Sequence, residues 1–216
     1  MGRVVVLGAT GPSGLLLVRA ALAAQHTVVV YARNPSKLPA DLAEHPSVTV
    51  IKGELEDAPA LSAALAGADS VISALGPSSS TPRGTPLAKG YAVVLDAMRA
   101  QGVARIVALG TASITDEHDK RDLRYSAMVW TVWAGVNAAW KDIVAVGDVV
   151  RGAEDLEWTI VRVPILTNSE STAAHAGYVG DGKSGVTLSR AAFAAFVVGE
   201  LEKNEWVRKS PLLTSA

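Results

Sequence analysis

The 216-residue chain contains no cysteine. Disulfides, thiolate metal sites and cysteine-nucleophile chemistry are therefore excluded, and the composition fits a reducing compartment. Neither sign of charge dominates: 20 Lys and Arg stand against 21 Asp and Glu, a net charge of −1. That balance gives no electrostatic case for a nucleic acid or a membrane surface as partner. No apolar run is long enough to cross a bilayer without Gly, Pro or a charge interrupting it. The amino terminus lacks a charged segment followed by an apolar stretch and a cleavage site, so a cytoplasmic protein is expected. No internal repeat is visible. One domain over 1–216 is expected, with an apolar fraction of 49% to build its core.

What the chain does have is one seven-residue stretch, Gly8-Ala9-Thr10-Gly11-Pro12-Ser13-Gly14. It sits between a β-branched run at 3–7 and a helix-forming run at 15–24. It reads as a tight turn from strand to helix. Glycines belong there where φ must be positive, or where the backbone must approach a ligand with no Cβ between them. The free N–H groups and positive dipole end of the following helix suit a pyrophosphate. The spacing is Gly-x-x-Gly-x-x-Gly, not the Gly-x-Gly-x-x-Gly of many dehydrogenases, and three glycines alone could equally be a structural turn. Arg33 adds a second signal, nineteen residues past Gly14 at the end of the apolar run 27–32. An acidic residue there would accept from a ribose 2′-hydroxyl; an Arg offers a fork of donors to a 2′-phosphate. The pair points to NADP(H) rather than NAD(H), the other reading of Arg33 being a solvated strand-end cation.

Strand and helix signals alternate from end to end. They predict an α/β fold, a Rossmann-type doubly wound parallel sheet with helices on both faces. Strands are expected at 47–51, 70–75, 104–109 and 157–163. Helices are expected at 58–66 behind an Asp57 cap, at 87–101, at 136–151, and at 190–203 behind Ser189. Asn34 to Lys37 reads as a turn fixed by Pro35. Ligands of such sheets lie at the carboxyl ends of the strands near the switch point, which gathers 8–14, 74–76 and 110–113 around one crevice. The small-residue loop 78–86 is expected to be mobile.

The run Asp116-Glu117-His118-Asp119-Lys120-Arg121-Asp122 invites a metal reading, but dense mixed charge is more often a solvated loop. His26, His45 and His175 are scattered, and no metal site is expected. Tyr125, Met128, Trp130, Trp133 and Trp140 concentrate large side chains in one segment. Two readings stand for them: helix packing, or an apolar wall on which a flat aromatic substrate stacks. The glycine-rich 177–182 segment reads as a turn over that pocket.

Together the glycine loop, Arg33-Asn34-Pro35, Gly53-Glu54-Leu55-Glu56-Asp57, Val71-Ile72-Ser73-Ala74-Leu75-Gly76 and Glu157-Trp158-Thr159-Ile160-Val161-Arg162-Val163-Pro164 carry a resemblance. They are similar to the atypical short-chain dehydrogenase/reductase family, in its NmrA-like and flavin (biliverdin IXβ) reductase-like branch, over most of the chain to about Lys203. The resemblance implies a Rossmann fold holding NADP(H) on Gly8, Thr10, Gly11, Pro12, Ser13 and Gly14, with Arg33 and Asn34 beyond them. It further implies Glu54 and Leu55 beside the adenine, Ala74, Leu75 and Gly76 along the ribose and pyrophosphate, and Pro164 and Ile165 near the nicotinamide. A substrate pocket is expected from about 111–150 and 164–188. The family's Tyr-x-x-x-Lys is missing. Counting back from Trp158-Thr159 puts Trp140 and Val144 at its two positions, or Asn137 and Lys141 after a three-residue slip, and neither supplies a phenol. Thr111, with Ser113, stands where the family carries its active-site Ser, and Asp148 where NmrA-like relatives carry an acid. Two functions are expected to compete. One is an NADPH-dependent reductase of a flat conjugated acceptor, such as a flavin, quinone or tetrapyrrole; the other is a non-catalytic NADP(H) sensor of NmrA type. An ordinary carbonyl reductase or epimerase is disfavoured by the lost Tyr. A small-molecule ligand and a monomer or small homo-oligomer are expected.

Overall fold

A computed structural model describes residues 1–78 and 80–216; Ser79, in the loop expected to be mobile, lies outside the described residues. Six strands run parallel: β1 (Arg3–Leu7), β2 (Thr27–Ala32), β3 (Val48–Lys52), β4 (Ser70–Ser73), β5 (Arg105–Thr111) and β6 (Glu157–Val163). β7 (Ile165–Thr167) and β9 (Thr187–Ser189) form a separate parallel pair. β8 (Ala174–Gly177) and β10 (Leu212–Ser215) extend the main sheet, giving the order β3-β2-β1-β4-β5-β6-β10-β8, with only β8 antiparallel to its neighbour. β1 is flanked by β2 on one side and β4 on the other, so the strand order reverses at β1. The crevice outside the carboxyl ends of β1 and β4 is the ligand position of a doubly wound sheet.

Among the described residues there are seven helices: α1 (Pro12–Ala23), α2 (Ala40–Ala43), α3 (Ala58–Leu65), α4 (Pro86–Gln101), α5 (Leu123–Gly135), α6 (Asn137–Arg151) and α7 (Arg190–Lys203). Alternation along β1 divides them. Val5 and Leu7 pack with Leu61, Tyr91, Met98 and Val146 of α3, α4 and α6. Val4 and Val6 pack with Leu17, Leu42, Phe193 and Val197 of α1, α2 and α7. A strand buried on both faces needs apolar residues at every position, which is why β1 and β2 read as unbroken Val-rich runs.

Several boundaries differ from the sequence expectation. Helix α1 begins at Pro12, inside the glycine stretch, so Pro12, Ser13 and Gly14 are already helical and Gly11 is the N-cap. Pro is suited to that first turn because its missing N–H has no partner to lose there. β4 stops at Ser73, where the Ser73 hydroxyl accepts from Leu75 N at 3.2 Å and turns the chain. β5 runs on to Thr111 because β6 pairs it as far as Thr111–Val163. Asp57 and Ser189 cap α3 and α7 as expected, accepting from Ala60 N and Ala192 N. The expected solvated loop at 116–122 needs correction. Its Asp119 binds the fully buried Arg162, and Asp122 caps α5 by accepting from Arg124 N and Tyr125 N.

Candidate functional site

Two clefts open side by side at the carboxyl ends of the parallel strands, and Gly76, Pro77 and Ser78 line both. The first, about 520 Å³, follows β1, β2 and β3. It brings together Gly8, Thr10, Arg33 and Asn34 with Glu54, Leu55, Leu75 and Gly76. Sequence reasoning missed several of its members, Lys37 and Asp142 among them. Lys37, four residues after Arg33 on a 3-10 turn (Pro35–Lys37), adds a second cation to the Arg33 end. Asp142 is fully buried on α6 and accepts from Ala88 N and Leu87 N, both at 3.0 Å, so it caps the amino end of α4 while facing the cleft. Its signal was legible: an acid on the same α6 stripe as Ala139, Ile143 and Val146, with no apolar reason to be there.

The glycine loop explains itself residue by residue. Gly8 has φ of +73°, the left-handed region where only glycine is unstrained. A Cβ on Gly14 would lie 2.0 Å from the Gly8 carbonyl oxygen, so Gly14 is required for strand–helix packing. Gly11 differs from both. Its φ is −85°, and a Cβ there would meet only the Gly8 oxygen at an ordinary 3.6 Å. Neither backbone nor packing requires glycine at 11, and the open space above it is where a ligand backed by α1 would approach. Gly11, Pro12 and Gly14 form the loop and first turn without lining either cleft, whereas Ser13, buried, lines the second.

The second cleft, about 540 Å³, is mostly apolar. Ala74, Pro164 and Ile165 line this cleft and not the first. Thr111 and the buried Ser113 line it too, and the Thr111 hydroxyl accepts from Ser113 N at 3.3 Å, leaving both hydroxyl protons free to donate. Other expected residues do not reach it. Asp148 is exposed and lines neither cleft: it lies six residues past Asp142, roughly 9 Å further along α6 and turned away. The cleft-facing row of α6 is Ala139, Asp142 and Ile143, not Trp140 and Val144. Asn137 and Lys141 line a third depression beside Arg83 to Thr85 instead. From 164–188, only Pro164, Ile165 and Leu166 line the second cleft. The 177–182 turn packs against Lys120, whose N donates to the Val179 carbonyl at 2.8 Å.

The tryptophans are a further correction. Trp130 and Trp133 point outward from α5, 63% and 47% exposed, and Trp140 is half-buried on the first turn of α6. The cleft wall on this helix is built instead by Met128, Val129 and Val132, the stripe of α5 next to the tryptophans.

None of the four tyrosines can stand in for the missing phenol. Tyr31 donates to the Glu54 carbonyl at 2.7 Å, and burial, with Asp57 and Glu54 nearby, raises its pKa to about 12. Tyr91 is fully buried against the Ser73 hydroxyl, and burial likewise raises it to about 12. Tyr125 donates to the Gly185 carbonyl and is also raised to about 12, chiefly by burial. Tyr178 stacks on His118 at 4.7 Å, away from both clefts. Among the described residues, no group of three or more His, Asp or Glu is arranged to hold a metal, and no helix is long and apolar enough to cross a membrane.

Residues 8–204 match the sequence profile of a family described as NAD(P)H-binding. A 109-residue stretch is 30% identical to isoeugenol synthase 1 of Clarkia breweri, covering 47% of this chain and 32% of that protein. The match thus spans about a third of the curated relative's length. A short-chain dehydrogenase/reductase from Veillonella parvula, solved with NADP, superposes with a TM-score of 0.82 at 19% identity, over 100% of this chain and 95% of that one. An anaerobilin reductase from Escherichia coli superposes with a TM-score of 0.73 at 20% identity, over 99% and 97% of the two chains. At these identities the structural likeness is one of fold.

Proposed function

The chain belongs to the NAD(P)H-binding family, and from that premise we propose an NADPH-dependent reductase that passes hydride to a flat conjugated acceptor of flavin, quinone or tetrapyrrole type. The observation that carries this reading is the pairing of the two clefts. A polar cleft bearing Arg33 and Lys37 shares the Gly76–Ser78 edge with an apolar cleft that has no tyrosine and no lysine among the described residues lining it.

The residues present fit the cofactor. Arg33 and Lys37 offer cations to a 2′-phosphate, and the space over Gly11 with the amino end of α1 suits a diphosphate. Glu54 and Leu55 border the adenine side, and Pro164 and Ile165 border the apolar side. Bound there, NADPH would supply a hydride, two electrons and one hydrogen, to the acceptor. The matching proton reaches the reduced acceptor from solvent, because the second cleft offers no tuned acid. Thr111 and Ser113 donate hydrogen bonds that orient an acceptor carbonyl, and Met128, Val129 and Val132 exclude water from one side of it. Acceptors whose reduced forms are delocalised need positioning more than a strong general acid.

A second reading, a non-catalytic NADP(H) sensor that docks a protein partner, is favoured by one observation, the outward Trp130 and Trp133 on α5. Steady-state NADPH oxidation across a flavin and quinone panel separates the two. Turnover of any acceptor supports the reductase; micromolar or tighter NADP(H) binding with no turnover supports the sensor.

A further inference from the structure

The second cleft holds a single charged residue among the described residues that line it, Arg190. Two local terms oppose a cation at this position. Arg190 is the first residue of α7, where the helix dipole disfavours positive charge, and it faces a wall of Val129, Val163, Ile165 and Leu166. No carboxylate offsets them: its polar contacts among the described residues are Asn168 Oδ1 at 2.7 Å and the Leu166 carbonyl at 3.4 Å, both through Nη1. These two acceptors fix one end of the guanidinium, and Nε and Nη2 have no hydrogen-bond partner among the described residues. The cations suited to the 2′-phosphate, Arg33 and Lys37, line the other cleft.

We propose that Arg190, the charged residue among those lining the apolar cleft, determines its specificity and binds a carboxylate carried on the edge of the acceptor. The proposal rests on the reductase reading and narrows its substrate to an anionic, carboxylate-bearing conjugated acceptor. A guanidinium fork matches a carboxylate in two parallel hydrogen bonds, and the apolar surroundings strengthen that pair relative to water. Asn168 and the Leu166 carbonyl hold the fork before the acceptor arrives, so less side-chain freedom is lost on binding. Thr111 and Ser113, from β5 and the turn after it, would take a carbonyl of the same acceptor while Arg190, at the start of α7, takes its carboxylate.

The test uses the full-length protein with NADPH and two probes of one redox core, a carboxylated 1,4-naphthoquinone and its methyl ester. The acid is expected to show a KM roughly tenfold or more below that of the ester, the scale of a charged hydrogen-bond pair. Arg190→Gln should raise the KM of the acid about as much, leave the ester unchanged and preserve NADPH affinity; Arg190→Lys should recover part of the preference. Equal KM values for acid and ester in the unmodified protein would overturn the proposal. So would an Arg190→Gln variant that loses NADPH affinity with an unchanged acid-to-ester ratio, since Arg190 would then belong to the cofactor's diphosphate. If neither probe is reduced, the reductase reading fails separately. Tryptophan-fluorescence titration of the NADP-loaded protein with both probes then decides the carboxylate site. Tighter binding of the acid that is lost in Arg190→Gln supports it, and equal binding overturns it.

Discussion

Gly11 and Gly14 look alike in the sequence but answer to different forces. Gly14 has no room for a methyl group, whereas Gly11 has room and an ordinary φ. Gly11→Val is therefore expected to leave the melting temperature within a few degrees and to weaken NADPH about 100-fold or more, a loss of about 2.7 kcal/mol. Gly14→Ala should do the reverse and destabilise the fold at the β1–α1 junction. Fluorescence titration and a thermal melt of both variants check this, and a Gly11→Val protein with normal NADPH affinity would make the loop a turn and nothing more. Cofactor choice rests on the next pair. Arg33→Asp should weaken NADPH relative to NADH by about 1–3 kcal/mol, and Lys37→Ala should act in the same direction with smaller size, because a lysine is a single point charge. Parallel titrations with the two nucleotides give the answer, and an equal loss for both would remove these cations from the 2′-phosphate. At the reacting end, Thr111→Ala and Ser113→Ala should each lower kcat by about tenfold or less, since true general-acid removal typically costs 10²–10⁴-fold. A thousandfold loss at either hydroxyl would end the solvent-proton mechanism.

Legibility differs by element, for physical reasons. β1 and β2 are legible to their ends because strands buried on both faces declare themselves as near-unbroken apolar runs. The caps at Asp57 and Ser189 were readable because they are local chemistry between a side chain and an N–H three residues on. β8 and β10 were not readable. Ala174–Gly177 and Leu212–Ser215 are each four residues long; β10 is a strand because β6 and β8 flank it, and β8 because β10 lies beside it. Helix α5 shows a different failure. From Tyr125 to Gly135 it carries no charge, so period alone does not say which side faces in. Packing chose Met128, Val129 and Val132 for the cleft and turned Trp130 and Trp133 outward. Trp130→Ala and Trp133→Ala are accordingly expected to leave acceptor KM within twofold, while Val132→Trp, which fills the apolar cleft, should raise it about tenfold. KM values for one quinone across the three variants test the orientation. A large effect at either tryptophan would put the stacking wall back where the sequence suggested it.

At the scale of the whole molecule, a buried charge with no local signal in the sequence ties distant segments together. Arg162, in the middle of the buried sheet, is 0% exposed. Its Nε donates to the Ser210 carbonyl at 2.7 Å and its Nη1 to the Ile114 carbonyl at 2.9 Å, while both terminal nitrogens bind Asp119 at 2.6 and 2.8 Å. Asp119 also accepts from Asp116 N and Val179 N. One ion pair thereby joins β6, the segment after β5, the turn after β8 and the tail leading into β10. Burial by itself would raise the Asp119 carboxyl, but the Arg162 bonds and charge and the two amides outweigh it and hold it below the usual carboxylate range. Asp181 behaves alike, its partial burial outweighed by His175 and by the amides of Lys183 and Ser184. The sign follows from linkage. A carboxyl depressed on folding contributes stability that is fully present above its unfolded pKa, near 4, and is lost as pH falls through the folded value. The urea midpoint is therefore expected to be level with respect to these two groups from about pH 5 to 8 and to drop below about pH 4. Asp119→Asn should flatten part of that drop and, at pH 7, cost about 3–5 kcal/mol, because it strands a buried guanidinium. Adding Arg162→Met to it should return much of the loss, since a buried pair replaced by apolar volume costs less than a pair broken in half. Urea titrations of the three proteins at pH 7 and pH 3.5 carry the test. A double variant no more stable than Asp119→Asn would mean that the hydrogen bonds of Arg162 to Ser210 and Ile114, and not its charge balance, hold the β6 edge to the tail.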